Sequence, residues 1–320
     1  MQELVFTLDT ATVDHFSKEE IQRGNPNFES SASIVIGLRA YFDLSKIRFL
    51  TPSSLKGDQR IWQIQGNLFV PSYDRIDAER LIILAVDTEE PSFGLEDLAQ
   101  QYSAYGLLSS QIGRYMNPLA SKRAIDKRDI YSTEVAQWLP PLLDSSSWES
   151  LEEQVKEQQL VLKHRMGAGG QQVYLLNQIN FKQIKSRIGV RLPEYVAQSF
   201  VPSFGEKRLV IFGLDIVGTR RIQHRNHPWE KRECTDKQAL KKNVIIDTFD
   251  PDQTEISQAM ETHKECGLDY SCIDFLETPT GSKMLEVNGI HPGMISPRYP
   301  GEGLVYDLGN RFAQFIYDTK

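Results

Sequence analysis

Residues 267–293 decide the fold, and they read GLDYSCIDFLETPTGSKMLEVNGIHPG. Two apolar runs, Ser271 to Leu276 and Met284 to Val287, flank the turn-forming segment Thr280-Gly281-Ser282. Short apolar runs on either side of such a turn are typical of a β-hairpin. The pattern therefore predicts two adjacent antiparallel strands.

Three oxygen-bearing side chains, Asp274, Glu286 and Asn288, lie on these two predicted strands. Glu286 and Asn288 are two residues apart and project to one face, so we expect Leu285 and Val287 to point into the core. Carboxylate and amide oxygens suit Mg²⁺, which also takes oxygens from substrate phosphates. The alternative is the solvated face of an ordinary antiparallel hairpin.

A glycine-rich segment, Met166 to Gln171, joins two predicted strands, Leu160 to Lys163 and Val173 to Leu176. Glycines let backbone N–H groups approach phosphate oxygens closely. The segment has neither the Gly-Lys-Ser/Thr of a Walker A loop nor the strand-to-helix context of a dinucleotide fingerprint. By itself it is explained by a flexible hairpin. Lys163, at the end of the preceding strand, would reach the same anion, and together they indicate a nucleotide phosphate site.

Several basic residues fall in or beside this strand-rich segment. Singly, each is explained by a solvated surface charge. Together they would stabilise the charge that spreads over the γ-phosphate oxygens during phosphoryl transfer. The residues are Lys127, Lys163, Arg208, Arg220 and Arg221.

Changes in pattern suggest three parts. Residues 1–116 alternate short apolar runs with helical periods, including a hairpin around Gln65-Gly66-Asn67 and a helix from about Gly94 to Tyr105, so we expect an α/β domain. Prolines and a basic stretch then mark a second part, residues 117–194. Residues 195–320 carry further strands in hairpins, covered by helices near Gln253 to Cys266 and Val305 to Tyr317.

The composition excludes several protein classes. A formal net charge of -7 argues against a general nucleic-acid binder, which needs a surplus of Lys and Arg. The N-terminal residues lack the pattern of a signal peptide, and no run approaches the roughly 20 apolar residues of a membrane span. We therefore expect a cytoplasmic protein without a membrane partner. The three cysteines form no Cys-x-x-Cys pair and are interpreted as small buried hydrophobes.

Between about residues 115 and 293 the chain resembles the ATP-grasp superfamily of carboxylate-amine or carboxylate-thiol ligases. Its general pattern is similar to the glutathione synthetase and ribosomal-protein glutamate ligase branch. The resemblance rests on six pieces in the family's order: Asn117-Pro118 with Asp126-Lys127, Val161-Leu162-Lys163 with Gly167 to Gly170, Gln198-Ser199-Phe200-Val201, Glu206-Lys207-Arg208, Gly267-Leu268-Asp269 with Asp274, and Leu285-Glu286-Val287-Asn288 with Pro292-Gly293.

This resemblance implies a role for each matching residue. Lys127 and Lys163 would contact the α- and β-phosphates of ATP beneath a flap that contains Gly167, Gly169 and Gly170. Gln198, Phe200 and Val201 would form the adenine hinge. Asp274, Glu286 and Asn288 would hold Mg²⁺, as two ions or with Mn²⁺ as the substitute. Arg208 and Arg221 would face the reacting phosphoryl group, and Arg298 would bind a substrate carboxylate.

The implied fold is α/β plus α+β: an N-terminal α/β domain, then an ATP-grasp unit of two α+β subdomains with ATP between them. The implied reaction activates a carboxylate as an acyl phosphate, releases ADP and phosphate, and joins the acid to an amine. The substrates would be small molecules or peptides, and relatives form homo-oligomers.

Two departures from the family's pattern leave the substrate open. Glu206 stands where many relatives have Asp, and residues 224–242 match no segment that relatives use near the acceptor. A kinase of the same fold, a non-catalytic ATP-binding module and a ligase acting on a peptide all remain as alternatives.

Overall fold

The computed structural model describes residues 3–8, 10–22, 29–51, 60–72, 78–83, 114–117, 126–165, 172–224, 244–289 and 302–319. Over these residues the chain forms three β-sheets. The first has six strands in the order β4-β3-β2-β1-β5-β6, with β1 parallel to β2 and β5 and with β5 parallel to β6. Its elements are β1 Glu3–Thr7, α1 Thr10–Phe16, α2 Glu29–Leu38, β2 Ile47–Leu50, β3 Ile61–Gln65, β4 Leu68–Ser72, β5 Ala78–Ile83 and β6 Arg114–Met116.

The predicted hairpin in this sheet is confirmed. Strands β3 and β4 pair antiparallel from Gln65 and Leu68 outward. Gly66 in the connecting turn has a φ of 63°, a conformation that glycine adopts without a steric penalty. The predicted helix from about Gly94 to Tyr105 lies outside the described residues.

The second sheet has the order β7-β10-β8-β9. Its elements are β7 Leu142–Leu143, α3 Trp148–Glu157, β8 Leu160–His164, β9 Val173–Leu176, α4 Phe181–Ile188 and β10 Tyr195–Ser199. Strand β10 pairs antiparallel with β8, with Tyr195 opposite His164. The expected boundary at residue 195 assigns β10 to the C-terminal part, whereas these hydrogen bonds join it to the second sheet.

The third sheet is antiparallel and has the order β13-β12-β11-β14-β15. It comprises β11 Gly205–Phe212, β12 Asp215–His224, β13 Val244–Asp247, β14 Tyr270–Thr278 and β15 Gly281–Asn288, with α5 Gln253–Glu265 against one face. Ile273 and Phe275 lie in the core on the α5 side, together with Ala259 of that helix. Alternation therefore directs Asp274 and Leu276 to the opposite face.

That opposite face also contributes to the core of the first sheet. Val210 and Cys272 pack in one cluster with Phe6 of β1 and with Phe312 of the helix α6, Glu302–Asp318. Helices α6 and α2 cross closely, because a Cβ added at Gly37 would lie 2.5 Å from the carbonyl oxygen of Gly309. The first and third sheets thus share one hydrophobic core.

Asn117 fixes the end of β6 to the third sheet. Its buried side chain accepts hydrogen bonds from the backbone amides of Asp269 (2.7 Å) and Tyr270 (3.1 Å), and it donates to the carbonyls of Tyr270 (2.8 Å) and Gly289. Its own backbone amide donates to the Asp269 carboxylate. The Asn-Pro signal in the sequence therefore marks a connection between the first and third sheets.

The structure also tests the predictions about the cysteines, a membrane-spanning segment and the helices. Cys266 and Cys272 are buried free thiols, as expected, whereas Cys234 lies outside the described residues. Of the helices in the described ranges, none is long and apolar enough to cross a membrane. Helix α3 was not predicted, although Ser147 caps its first turn by accepting from the Ser150 amide and Leu151 and Val155 form its buried face.

Candidate active site

Four charged residues form a row across the third sheet. Arg220 of β12 lies opposite Arg208 of β11, Arg208 lies opposite Asp274 of β14, and Asp274 lies opposite Glu286 of β15. Directly paired residues in antiparallel strands project to the same face of a sheet. The row therefore presents two positive and two negative charges side by side, which we call the charged row.

Asp274 is held by donors on both sides. Arg208 donates from Nε to Oδ1 at 2.6 Å and from Nη2 to Oδ2 at 2.6 Å, which is a bidentate ion pair. The amide nitrogen of Asn288 also donates to Oδ2, at 3.0 Å. The structure thus brings together three of the predicted residues, and the carboxylate predicted to hold metal is bound by protein donors.

Burial and neighbouring charge shift the pKa values in the charged row. Burial raises the pKa of Asp274, and the positive charge of Arg208 opposes this effect. Burial alone would lower the pKa of Arg208, but its interactions with Asp274 outweigh burial and raise it. Glu286 acts on both residues through its negative charge. Each charge of the Arg208–Asp274 pair therefore favours the charged form of the other.

Arg220 lies beside Arg208 in the charged row, at the position for which the sequence predicted Arg221. Its Nε is shielded from solvent and has no hydrogen-bond acceptor within the described part of the chain. Burial and the adjacent charge of Arg208 lower the pKa of its guanidinium to about 10. Consecutive residues of a strand face opposite sides of the sheet, so only the register of β12 with β11 shows that Arg220, and not Arg221, shares a face with Arg208.

Arg221, which was predicted to face the reacting phosphoryl group, lies on the other face of the sheet. It forms a bidentate pair with Glu277, with Nε donating to Oε2 at 2.9 Å. It lies opposite Lys207, which donates to Glu255 of α5 at 2.7 Å. The structure therefore separates Arg221 from Arg208, and Arg220 occupies the position beside Arg208.

A cleft with an empty volume of about 400 Å³ lies between the second and third sheets. Leu285 lines it instead of pointing into the core as expected, because a register shift after Asp274 pairs Phe275 with Met284 and leaves Leu285 as the extra residue of a bulge. Val287 does lie in the core, as predicted. The lining residues are Pro140, Val161, Lys163, Gln198, Ser199, Val201, Ser203, Glu206, Leu276 and Leu285.

The predicted hinge residues lie along this cleft. Gln198 and Val201 line it, and the side-chain amide of Gln198 donates to the hydroxyl of Tyr131 at 2.5 Å. The backbone amide of Phe200 donates to the carbonyl of Gln159 at 3.1 Å. The amide of Phe200 is therefore engaged within the protein.

Two lysines reach the same region, Lys163 from β8 and Lys127 from a segment whose backbone amide at Lys127 donates to the carbonyl of Arg165. Lys163 is buried and lines the cleft. Burial lowers the pKa of Lys127, and the charges of Glu286 and Asp126 oppose that shift, which places Lys127 within electrostatic range of the charged row. Asp126 holds this segment in place by pairing with Arg165, whose Nε donates to Oδ1 at 3.0 Å.

Several predicted residues lie outside the described ranges. These are Gly167, Gly169 and Gly170 of the proposed flap and Arg298 of the proposed substrate site. Their assignments stay predictions.

No protein-family model and no curated protein matches the chain by sequence. Its structure is similar to that of the D-cycloserine synthetase DcsG, with a TM-score of 0.63 and 15% identity over 99% of both chains. It is also similar to PsnB, an ATP-grasp ligase complexed with a minimal precursor, with a TM-score of 0.61 and 14% identity over 100% of both chains. The chain has the ATP-grasp fold. A third similar structure is the macrocyclase MdnC from Microcystis aeruginosa MRC bound with the precursor peptide MdnA, at a TM-score of 0.60 and 14% identity over 99% of this chain and 100% of that chain.

The similarity confirms the ATP-grasp fold expected from residues 115–293, and the division of the chain into domains stays a prediction. Asp274 and Glu286 of the charged row, together with Asn288 of β15, fit a magnesium ion in kind, since they offer only oxygen ligands to it. Among the residues that the structure describes, no cluster of three or more His, Cys, Asp or Glu could hold a metal ion by itself. A metal here would therefore need further oxygens, such as those of a phosphate chain.

Proposed function

We propose that this protein is an ATP-dependent ligase that activates a carboxylate as an acyl phosphate and joins it to an amine. The observation that carries the proposal is the continuity of the cleft with the charged row. Glu206 and Leu276 line the cleft, while Arg208 and Asp274, two residues from each on the same strand face, form the centre of the row. One ligand can thus place an apolar ring in the cleft and its anionic end on the row.

The cleft suits the adenosine part of ATP. Val161, Leu276 and Leu285 provide apolar surface for a flat base. We propose that the backbone of Phe200 and Val201 contacts the edge of the adenine ring. The carboxylate of Glu206 would accept hydrogen bonds from the ribose hydroxyls.

The lysines and the glycine-rich segment would bind the phosphates. Lys163 lies at the inner end of the cleft and Lys127 lies near Glu286, so both suit the charge of a triphosphate. A buried ammonium group is stabilised in its charged form when an anion binds beside it. Gly167, Gly169 and Gly170 would add backbone amides above the same phosphates.

Magnesium would be held by Asp274, Glu286 and Asn288 together with phosphate oxygens, with Mn²⁺ as a substitute. When bound, the ion would neutralise the β- and γ-phosphates. Asp274 accepts hydrogen bonds from Arg208 and from the amide nitrogen of Asn288. The side chains of Arg208 and Asn288 must therefore rearrange before a metal ion binds. A γ-phosphate offers Arg208 a replacement anion, because guanidinium pairs with phosphate in the same bidentate way.

The proposed reaction has two steps. A carboxylate oxygen of the acid attacks the γ-phosphorus, and the bond to the β-phosphate oxygen breaks with its electron pair going to ADP. An amine nitrogen then attacks the acyl carbon, the carbon–oxygen bond breaks, phosphate leaves, and the amine loses a proton to solvent. Arg208, Arg220 and the lysines would position the anions and stabilise the developing charge, which is the main protein contribution in phosphoryl transfer.

The acid and the amine are proposed to be small molecules or peptides. PsnB and MdnC were solved with precursor peptides, and DcsG is a D-cycloserine synthetase. Structures with this fold thus include proteins solved with peptides and a synthetase of a small molecule, so a test must offer both peptides and small molecules as substrates.

Phosphorus NMR of the purified protein with Mg-ATP tests the proposal. ADP and free phosphate should form only when a pool of acids and a pool of amines, including short peptides, are present together. ADP with a new phosphoester signal would instead identify a kinase. Bound ATP without turnover in any pool would favour the non-catalytic module. Glu286→Gln, which removes a metal ligand without changing side-chain size, is the matched control and should form no ADP.

A further inference from the structure

Asn117, at the end of β6, has an unusual backbone conformation. Its φ is 53°, and apart from Gln172 it is the only residue other than glycine with a positive φ in the described part of the chain. Asparagine tolerates this left-handed region better than most residues, yet such a conformation persists only where the surrounding contacts hold it. Asn117 is 1% exposed, so protein groups and not solvent provide those contacts.

The side chain of Asn117 makes every hydrogen bond that an amide can make, and all of them go to the third sheet. Its oxygen accepts from the backbone amides of Asp269 at 2.7 Å and Tyr270 at 3.1 Å. Its nitrogen donates to the carbonyls of Tyr270 at 2.8 Å and of Gly289. One side chain therefore joins the start of β14 to the residue that follows β15.

The bond to Gly289 acts at the end of an edge strand. Strand β15 ends at Asn288, and within the described ranges its only strand neighbour is β14. Asn288 lies opposite Cys272, and its side-chain amide donates to Asp274 at 3.0 Å. One neighbouring strand fixes a backbone less firmly than two. The hydrogen bond from Asn117 to the next residue thus supplies a second anchor where the chain leaves the sheet.

We propose that Asn117 is a positioning residue for Asn288. By holding the Gly289 carbonyl, it sets the end of β15 so that Asn288 directs its side chain toward Asp274. The inference rests on the proposed function in one respect, because it makes Asn117 a support of the proposed metal site. Removing a group that holds a metal ligand in place typically lowers metal affinity 10–100-fold. Loss of the Asn117 side chain should therefore weaken Mn²⁺ binding in the presence of AMPPNP about tenfold or more.

Two variants separate the side chain of Asn117 from its backbone conformation. Asn117→Gly removes all four side-chain hydrogen bonds, while glycine adopts a φ of 53° without a steric penalty. Asn117→Asp keeps the two accepted bonds and loses the two donated ones, so it tests the contact with Gly289 even if the glycine variant does not fold. Gly37→Ala is the matched control for a general loss of stability. Its new methyl group meets the Gly309 backbone between α2 and α6, which carry none of the proposed site residues.

Two measurements test the proposal, one without metal and one with it. The side-chain amide resonances of Asn288 in a proton–nitrogen correlation spectrum of the metal-free protein are identified by their absence in Asn288→Asp. They should shift in both Asn117 variants and not in Gly37→Ala. Electron paramagnetic resonance then gives the Mn²⁺ affinity with AMPPNP present. We expect the loss of about tenfold or more in both Asn117 variants and the wild-type affinity in Gly37→Ala.

The outcomes separate this proposal from the proposed function. Unmoved Asn288 resonances in the Asn117 variants would overturn the proposal, as would an unchanged Mn²⁺ affinity. An equal loss of Mn²⁺ affinity in Gly37→Ala would assign the effect to stability and would also overturn it. Wild-type protein that binds neither AMPPNP nor Mn²⁺ would refute the proposed function instead. The Asn288 resonances would in that case still decide whether Asn117 positions Asn288.

Discussion

Replacing Arg208 with methionine should let a divalent metal bind without nucleotide. In the structure Arg208 donates two charge-assisted hydrogen bonds to Asp274, both at 2.6 Å. A metal that enters alone must displace them, because the same carboxylate oxygens are its ligands. In the wild type we therefore expect metal binding to depend on a nucleotide, whose γ-phosphate gives Arg208 another partner.

The structure sets the size of this effect. Each charge-assisted hydrogen bond contributes about 1.5–3 kcal/mol, so two cost at least about 3 kcal/mol to displace. The side chains of Arg208 and Asp274 are only 18% and 10% exposed, so solvent weakens the pair little. About 3 kcal/mol corresponds to roughly a 100-fold change in a dissociation constant. Arg208→Met should bind Mn²⁺ about 100-fold more tightly than the wild type when nucleotide is absent.

Electron paramagnetic resonance measures this directly, because bound Mn²⁺ loses the sharp signal of the free ion. The titration is best done at pH 8, since burial raises the pKa of Asp274 and a proton would otherwise compete in the variant. Arg221→Met is the control, and it should behave as the wild type. Wild-type protein that binds Mn²⁺ equally well with and without AMPPNP, whose γ-phosphate gives Arg208 another partner, would refute the reasoning, as would a variant that shows no gain.

Three further predictions concern other parts of the molecule. Glu286→Gln should abolish Mn²⁺ binding in the presence of AMPPNP while leaving circular dichroism unchanged. His263, whose pKa burial lowers from 6.5 to about 4, is neutral when folded, so its contribution to stability is complete above pH 6.5 and is lost as the pH falls toward 4. In urea unfolding, the contribution of His263 should lower the free energy of unfolding by about 2 kcal/mol at pH 5 relative to pH 7. The variant His263→Gln should lack this contribution. Gly37→Ala should destabilise the protein by about 1–3 kcal/mol in the same assay, because the new methyl group meets the Gly309 backbone.

Each of these has an outcome that would count against it. Retained Mn²⁺ binding in Glu286→Gln would remove that residue from the metal site. An equal pH dependence in His263→Gln and the wild type would mean that His263 is protonated in the fold; it faces Ser271, with Asp269 and Lys264 nearby. An unchanged urea midpoint in Gly37→Ala would show that α2 and α6 separate at little cost.

The sequence predicted the strands better than their arrangement. Alternation and turn residues located the hairpin of β14 and β15, and hence placed Asp274 and Glu286 on adjacent strands; the structure adds that the two residues lie opposite each other. They could not place β10, because an apolar strand of this length fits either sheet and only its partner, β8, decides. Helix α3 was not predicted, although Ser147 is a typical N-cap residue. Its buried face has only Leu151 and Val155, with polar residues between them, so its apolar pattern is weak.

The candidate site shows the same limit at the level of single residues. Basic residues at 220 and 221 look equivalent in the sequence, and only the register with Arg208 distinguishes their faces. The position of Leu285 depended on a bulge, which shifts alternation by one residue without an obvious signal in the sequence. Residue types were therefore predictable, whereas the direction of each side chain required the pairing of neighbouring strands.

The shared core of the first and third sheets has a consequence for the synthesis of this protein. Phe6 and Phe49 of the first sheet pack in one cluster with Phe312 and Ile316 of α6, which are made about 260 to 310 residues later. A ribosome that has released the first sheet has therefore not yet made the helix that covers it. The apolar surface of the first sheet therefore stays uncovered until α6 is made. A nascent chain stalled before residue 302 should bind chaperones more strongly than the finished protein.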